Sequence, residues 1–272
     1  MARKNLNRTV TLILKGSERD GGDVRLDEFV DELNALKNAL VNTERIISKL
    51  EKATLFYKVI DLKHESPATI TLEAMPINPE IDYSESTLGS FFNNLNYINT
   101  FKKIPEGLDM TSVEAYRNLG IRRKPHIEEI IIRNGSRQYS IGRHFDQNIV
   151  QAIGKDEYED GSIVGKLDSV NVHNRNRFFV YPEVGASKIE CFFSDELRQK
   201  VKDALYRKIE VVGKLRYKTW DKFPYGISAT DLNVYPEDEE LCTFSELLGV
   251  APDATGGLTV NEFIDKIRNE EW

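Results

Sequence analysis

The feature that most constrains this chain is the order of segments after Gly161. Ser162 to Val172 carries Ile163, Val164, Leu167 and Val170 and reads as a strand. His173-Asn174-Arg175-Asn176 reads as a turn, and Arg177 to Pro182 as a second strand. Gly185-Ala186-Ser187 turns the chain into a third strand, Lys188 to Phe193. Ser194 then stands at a helix N-cap, where its hydroxyl can take an orphan backbone N–H. Asp195 and Glu196 suit the positive first turn of that helix, and Arg207 and Lys208 its negative end. Leu197, Val201, Ala204 and Leu205 share one face. Ile209 to Tyr217 and Ile227 to Tyr235 follow as fourth and fifth strands. Three strands, a helix and two strands leave few ways to bury one small core. Gly165 and Gly213 lie inside strands, where glycine commonly marks a bulge or a barrel bend.

This order resembles the OB-fold over residues 161–236, at the level of fold and without a family motif. The resemblance implies a five-stranded OB-type β-barrel; another small α+β sheet with the same element order is the alternative. Such barrels commonly hold single strands or oligosaccharides on one sheet face and in the loops after strands one and four. The loop after strand one carries His173, Arg175 and Arg177. The loop after strand four carries Lys214, Arg216, Tyr217, Lys218, Trp220, Lys222, Phe223 and Tyr225. Cations interleaved with rings fit single-stranded nucleic acid. Ammonium and guanidinium groups meet phosphates, and rings stack on bases for roughly 1–3 kcal/mol each. The expected nucleic-acid site is therefore Arg175, Arg177 and those eight loop residues. Phe178, Tyr181 and Phe192 can extend it, although alternation lets only one of Phe178 and Phe179 face outward and does not say which. Against this stands a plainer reading, in which the aromatics fill the core and the lysines are simply solvated.

Residues 1–154 read as a separate α+β domain with an antiparallel sheet. Thr9 to Leu14 alternates as a strand, and a loop covers Glu18 to Asp23. A helix from about Asp27 to Leu50 carries the stripe Phe29, Leu33, Leu36, Leu40 and Ile47. Thr54 to Leu62 and Ala68 to Met75 form a hairpin, followed by helices at Ser84 to about Ile104 and Ser112 to Leu119. Ile127 to Arg133 and Ser136 to Ile141 flank Asn134-Gly135, read as the two central residues of a tight turn. The boundary is expected between Gly154 and Gly161, where Lys155 to Asp160 is charged and short of apolar residues.

Residues 237–272 read as an acidic linker and an amphipathic helical tail. Thr259-Val-Asn-Glu262 fits a capping box, and Val260, Phe263, Ile264 and Ile267 follow at helical spacing. So short a helix is marginal alone. Its apolar face must dock, either on its own chain or in a partner's groove. The partner-binding residues would be Phe263, Ile264, Ile267, Arg268 and Trp272. Gly249-Val-Ala-Pro-Asp-Ala-Thr-Gly-Gly257 and Glu262-Phe-Ile-Asp-Lys-Ile-Arg268, with Trp272, loosely resemble the tails of bacterial antitoxin-like proteins. The layout is also similar to that of bacterial proteins associated with neighbouring PIN-type nuclease toxins. The resemblance implies a partner nuclease whose acidic centre Arg268 or Lys266 would approach. The tail's own net charge of about −8 opposes that.

The whole chain carries a net charge of −7, which argues against coating nucleic acid by bulk electrostatics. Residues 161–236, however, are about +4. The two cysteines, Cys191 and Cys242, are far apart and predict neither a disulfide framework nor a zinc site. No segment reads as a signal peptide or a membrane span, so the expected location is the cytoplasm. The sequence holds no phosphate-binding loop, dinucleotide fingerprint or zinc-protease motif, and no cofactor or metal is expected. His144-Phe145-Asp146 reads as chance alternation on a strand, and Cys191 as inert core. The expected function is a non-enzymatic binding protein for single-stranded nucleic acid. The alternatives are an antitoxin-like factor that binds a nuclease through its tail, and an enzyme whose site in residues 1–154 carries no motif.

Overall fold

The computed structural model describes residues 6–50, 52–120, 124–173, 175–185, 188–236 and 255–269. The chain is mixed α+β with two sheets. The first comprises β1 (Thr9–Gly16), β2 (Leu55–Lys63), β3 (Ala68–Pro76), β4 (Ile127–Asn134) and β5 (Arg137–Ile141), in the antiparallel order β2-β3-β1-β4-β5. Alternation gives this sheet one apolar face. Val10, Leu12 and Leu14 of β1 are buried with Ile70, Leu72, Ala74, Ile130 and Ile132, while Thr11, Thr71 and Glu129 point the other way. The helices α1 (Leu26–Ser48), α2 (Ser84–Phe101), α3 (Met110–Arg117) and α4 (Arg143–Ile153) supply the rest of the core. Asp109 caps α3, its Oδ1 accepting from the Ser112 N–H at 2.9 Å.

Four local expectations are corrected here. His144, Phe145 and Asp146 belong to α4, not to a strand; Phe145, Ile149 and Ile153 recur four apart and are all buried. The β4–β5 turn sits one residue later than expected. Asn134 pairs with Arg137, so Gly135 and Ser136 are its central residues, and Gly135 takes the positive φ of 56°. The α1 stripe is rotated from the expected one. Leu36 and Leu40 are buried as foreseen, but Glu28, Glu32, Thr43 and Glu44 are buried beside them, and Ile47 is only half-buried. Finally, Asp156 to Asp160 are not linker. They open β6 (Asp156–Asn171), which runs antiparallel to β9 (Lys208–Lys218) from Asp156↔Lys218 to Lys166↔Lys208. The acids that look like linker in one dimension face cations across the ladder: Asp156 opposes Lys218, and Asp160 opposes Lys214.

β6 and β9 belong to the second sheet, with β7 (Arg177–Tyr181), β8 (Ile189–Phe192) and β10 (Gly226–Val234). Its order, β10-β8-β7-β6-β9, closes on itself. All its pairings are antiparallel except β8 with β10. Ile163, Leu167, Phe178, Val180, Cys191, Val211 and Ile227 fill the ring. Gly213 is required by a close approach, since a Cβ there would lie 2.1 Å from the Ser228 carbonyl oxygen of β10. Between β8 and β9, a 3₁₀ turn (Asp195–Leu197) leads into α5 (Arg198–Asp203); the turn buries Leu197 and the helix Val201 against the ring. Ser194 stands at the N-cap, but its hydroxyl makes no capping bond. The 3₁₀ geometry gives the Leu197 N–H to the Ser194 carbonyl oxygen instead, at 3.1 Å.

The last described element is α6 (Val260–Asn269). The expected acidic linker, Cys242 and Trp272 lie outside the described residues. Among the described residues no helix is long and apolar enough to cross a membrane.

Candidate nucleic-acid interface

Strand alternation sorts the ring's side chains into an inner and an outer set. On β9, Val211, Gly213 and Leu215 point inward, and Lys214, Arg216 and Lys218 outward. The ladder then fixes their neighbours. Arg216 stands opposite Tyr158 of β6 on one side and Gly226 of β10 on the other. Gly226 opposes Glu190, which opposes Phe179 of β7. One row further, Lys214 opposes Asp160 and Ser228, Ser228 opposes Phe192, and Phe192 opposes Arg177. Each row therefore sets cations and rings side by side and includes one acid, Glu190 in the first and Asp160 in the second.

Gly226 is the small residue that lets the rows touch. A Cβ there would lie 2.9 Å from an Arg216 guanidinium nitrogen. The Arg216 side chain crosses that gap, and its guanidinium lies 5.4 Å from the Phe192 ring centre and 5.0 Å from that of Tyr225. Lys188 lies 4.6 Å from the centre of Phe179, and Lys214 5.9 Å from that of Tyr158. Arg177 is held by Glu190 at 2.9 Å. Contacts of this kind pre-orient cations over ring faces.

Tyr225 donates a 2.6 Å hydrogen bond to Asp156, which Lys218 also meets. Desolvation works to raise the Asp156 carboxyl. The hydrogen bonds from Lys218 and Tyr225, with the nearby Lys218 and Arg216 charges, outweigh it and hold the group below the usual carboxylate range. Desolvation, and then the bond to Asp156, push the Tyr225 phenol up.

Of the ten residues expected to contact nucleic acid, Arg177, Lys214, Arg216 and Tyr225 come together here. Arg175 stands exposed in the turn between β6 and β7. Lys222 and Phe223 line an adjoining cavity of about 600 Å³ with Arg45, Asp109, Tyr181 and Trp220. Three expectations are corrected. Lys218 is buried, pairs with Asp156 and donates to the Gly154 carbonyl oxygen at 3.2 Å, so it is consumed as a structural tie. Trp220 packs against the core of the first sheet, and its Nε1–H donates to the Ile153 carbonyl oxygen at 3.1 Å. Tyr217 falls on the inward side of β9 and packs on the ring's core. Phe178 is buried inside the ring and Phe179 faces outward, which settles the pair that alternation left open.

Tyr158, Lys188 and Glu190 complete the surface and were not singled out from the sequence. Tyr158 was hidden in the charged stretch read as linker. The first layer also contributes a wall. Asp109, Met110, Thr111 and Glu114, at the start of α3, face Phe179, Lys188, Glu190 and Tyr225 across a cleft of about 360 Å³. Asp221 borders the same cleft. Its carboxyl is raised by desolvation first, with the charge of Asp109 adding to it. On the ring side the cleft offers the Phe179 and Tyr225 rings with Lys188 beside Glu190; on the other side Asp109 pairs with Arg45 at 2.6 Å and Glu114 with Arg117 at 3.4 Å.

In the tail, the capping box forms: the Thr259 N–H donates to Glu262 at 2.9 Å. Val260, Ile264 and Ile267 are exposed, Phe263 is half-buried and Arg268 is exposed. Among the described residues no three His, Cys, Asp or Glu side chains gather as a metal would require. Burial, and then the charge of Glu190, push the Cys191 thiol up, which disfavours the thiolate. Comparison with known proteins adds no relative: no family model, curated protein or solved structure matches the chain.

Proposed function

We propose that the closed ring is an OB-type barrel that binds single-stranded nucleic acid on its outer surface. The fold reading is supported by the strand order, the single parallel closure between β8 and β10, and the short helix between β8 and β9. The functional reading is carried by one observation: Arg216 lies across Gly226 between Phe192 and Tyr225, inside a set formed by Arg177, Lys188, Lys214, Tyr158 and Phe179. Rings held beside cations offer stacking faces to bases and charges to phosphates.

Fluorescence anisotropy of a labelled mixed-sequence oligonucleotide tests this at low and moderate salt. Arg216→Ala is expected to weaken binding about tenfold or more by removing a stacked cation. It should also reduce the steepness of the log–log salt dependence by roughly one unit or less. No binding at low salt, or an Arg216→Ala variant that is folded and binds as tightly as the parent, overturns the proposal.

A second reading is favoured by the exposed apolar face of α6 behind a formed capping box. In that reading the chain is an antitoxin-like factor, and α6 docks in a groove of a partner nuclease. Deleting residues 258–272 is then expected to leave the melting transition unchanged and to abolish co-purification of a nuclease. A deletion that lowers the melting temperature instead places α6 on its own chain.

A further inference from the structure

The two edges of the first sheet are built differently. β5 is five residues long and begins with Arg137 and Gln138, both exposed, as protected edges are. β2 is nine residues long and leaves Phe56, Val59 and Leu62 exposed by 49%, 53% and 62%. Leu26 and Val30 of α1 are exposed as well. The Ser66 hydroxyl donates to the Gly22 carbonyl oxygen, which brings the end of β2 and the start of α1 to the same end of the layer. A long, apolar edge strand offers its unpaired N–H and C=O groups to another strand.

A bulge gives this edge a self-complementary charge pattern. The register slips between Val59 and Asp61, with Ile60 as the extra residue. Lys58, opposite Glu73, and Asp61, opposite Thr71, therefore share the sheet face away from the helices although they are three residues apart. Neither takes part in an ion pair among the described residues.

We propose that β2 pairs antiparallel with β2 of a second copy of this chain, about a twofold axis between Val59 and Ile60. In that register Lys58 faces the partner's Asp61, and symmetry repeats the pair. Phe56 faces the partner's Lys63, and Tyr57 faces the partner's Leu62. Slipping the strands by two residues one way sets Lys58 against the partner's Lys63; slipping them the other way sets Asp61 against the partner's Phe56. Only the first register pairs both charges, so the edge specifies its own alignment. The two sheets then run on as one, and the exposed apolar residues of β2 are covered.

Size-exclusion chromatography with light scattering tests this on the full chain over about a hundredfold range of concentration. The expected mass rises with concentration to twice the 31.2 kDa of one chain. Lys58→Asp sets like charges opposite each other at two places and is expected to raise the dimer dissociation constant about tenfold or more. The double variant Lys58→Asp/Asp61→Lys reverses both charges and is expected to restore it, which a merely misfolded variant would not do. A monomer at every concentration, a dimer indifferent to Lys58→Asp, or a double variant that stays weak each overturns the proposal.

Discussion

Lys124→Ala is expected to lower folding stability by about 3–5 kcal/mol, the cost of stranding one charge of a buried pair. Lys124 precedes β4 and is buried, and its ammonium meets the carboxylate of Glu32 on the core side of α1. It also donates to the Asn118 carbonyl oxygen at 3.4 Å, while Oε1 of Glu32 has no partner. Removing the lysine leaves the buried Glu32 carboxyl without its counter-charge, so it must either stay charged and unpaired or take up a proton. A denaturant titration reads the effect as a lower midpoint with an unchanged slope. The double variant Glu32→Leu/Lys124→Met is expected to recover most of the loss, because well-packed apolar groups replace such pairs at little or no cost. A single-variant loss below about 1 kcal/mol would show that the pair is solvated rather than buried.

The same pair sets a pH dependence with a definite sign. Burial raises the Glu32 carboxyl, and Lys124 opposes that rise without cancelling it. The folded state therefore holds this proton more tightly than the unfolded chain does. Its contribution is fully present below the ordinary carboxylate range and is lost as pH rises through the folded value. With Lys124 in place the carboxyl sits at about 7; in Lys124→Ala the opposing charge is gone, so stability should go on falling from about pH 7 to 8, where the parent's loss levels off. A melting temperature that rises across that interval in Lys124→Ala would contradict the assignment.

What could be read from the sequence follows from the range of the interactions involved. Strand alternation and the glycines at 165 and 213 are local, and they mark the ring's elements in order. The partners of Lys218 and Trp220 are not local. Asp156, Gly154 and Ile153 lie more than sixty residues upstream, so the loop alone shows cations beside rings and reads as a ligand surface. The Glu32–Lys124 pair spans 92 positions. Glu28 and Glu32, four apart on α1, look in one dimension like a solvated face. α4 was missed because its polar N-terminal half hides the spacing of Phe145, Ile149 and Ile153. In each case the missing information is which distant backbone or charge a side chain meets, and periodicity carries none of it.

Trp220→Ala distinguishes the two roles that residue can play. The indole packs against the core of the first layer, and its Nε1–H satisfies the carbonyl of Ile153, the last residue of α4. Lys218 takes the next carbonyl, that of Gly154. The two side chains thus tie the C-terminal end of α4 to the end of β9 and the loop that follows it. Truncating the indole removes a large packed surface and one of those two ties, at an expected cost of about 2–4 kcal/mol, below that of a fully buried aromatic. Because the indole is the larger part of the tie, calorimetry should show one unfolding transition broadening or splitting into two. Oligonucleotide affinity, measured well below the melting temperature, should stay within about twofold of the parent, since Trp220 lies off the cation-and-ring surface. The reverse outcome, stability unchanged and affinity lost, would return Trp220 to the ligand surface and remove it from the tie between the layers.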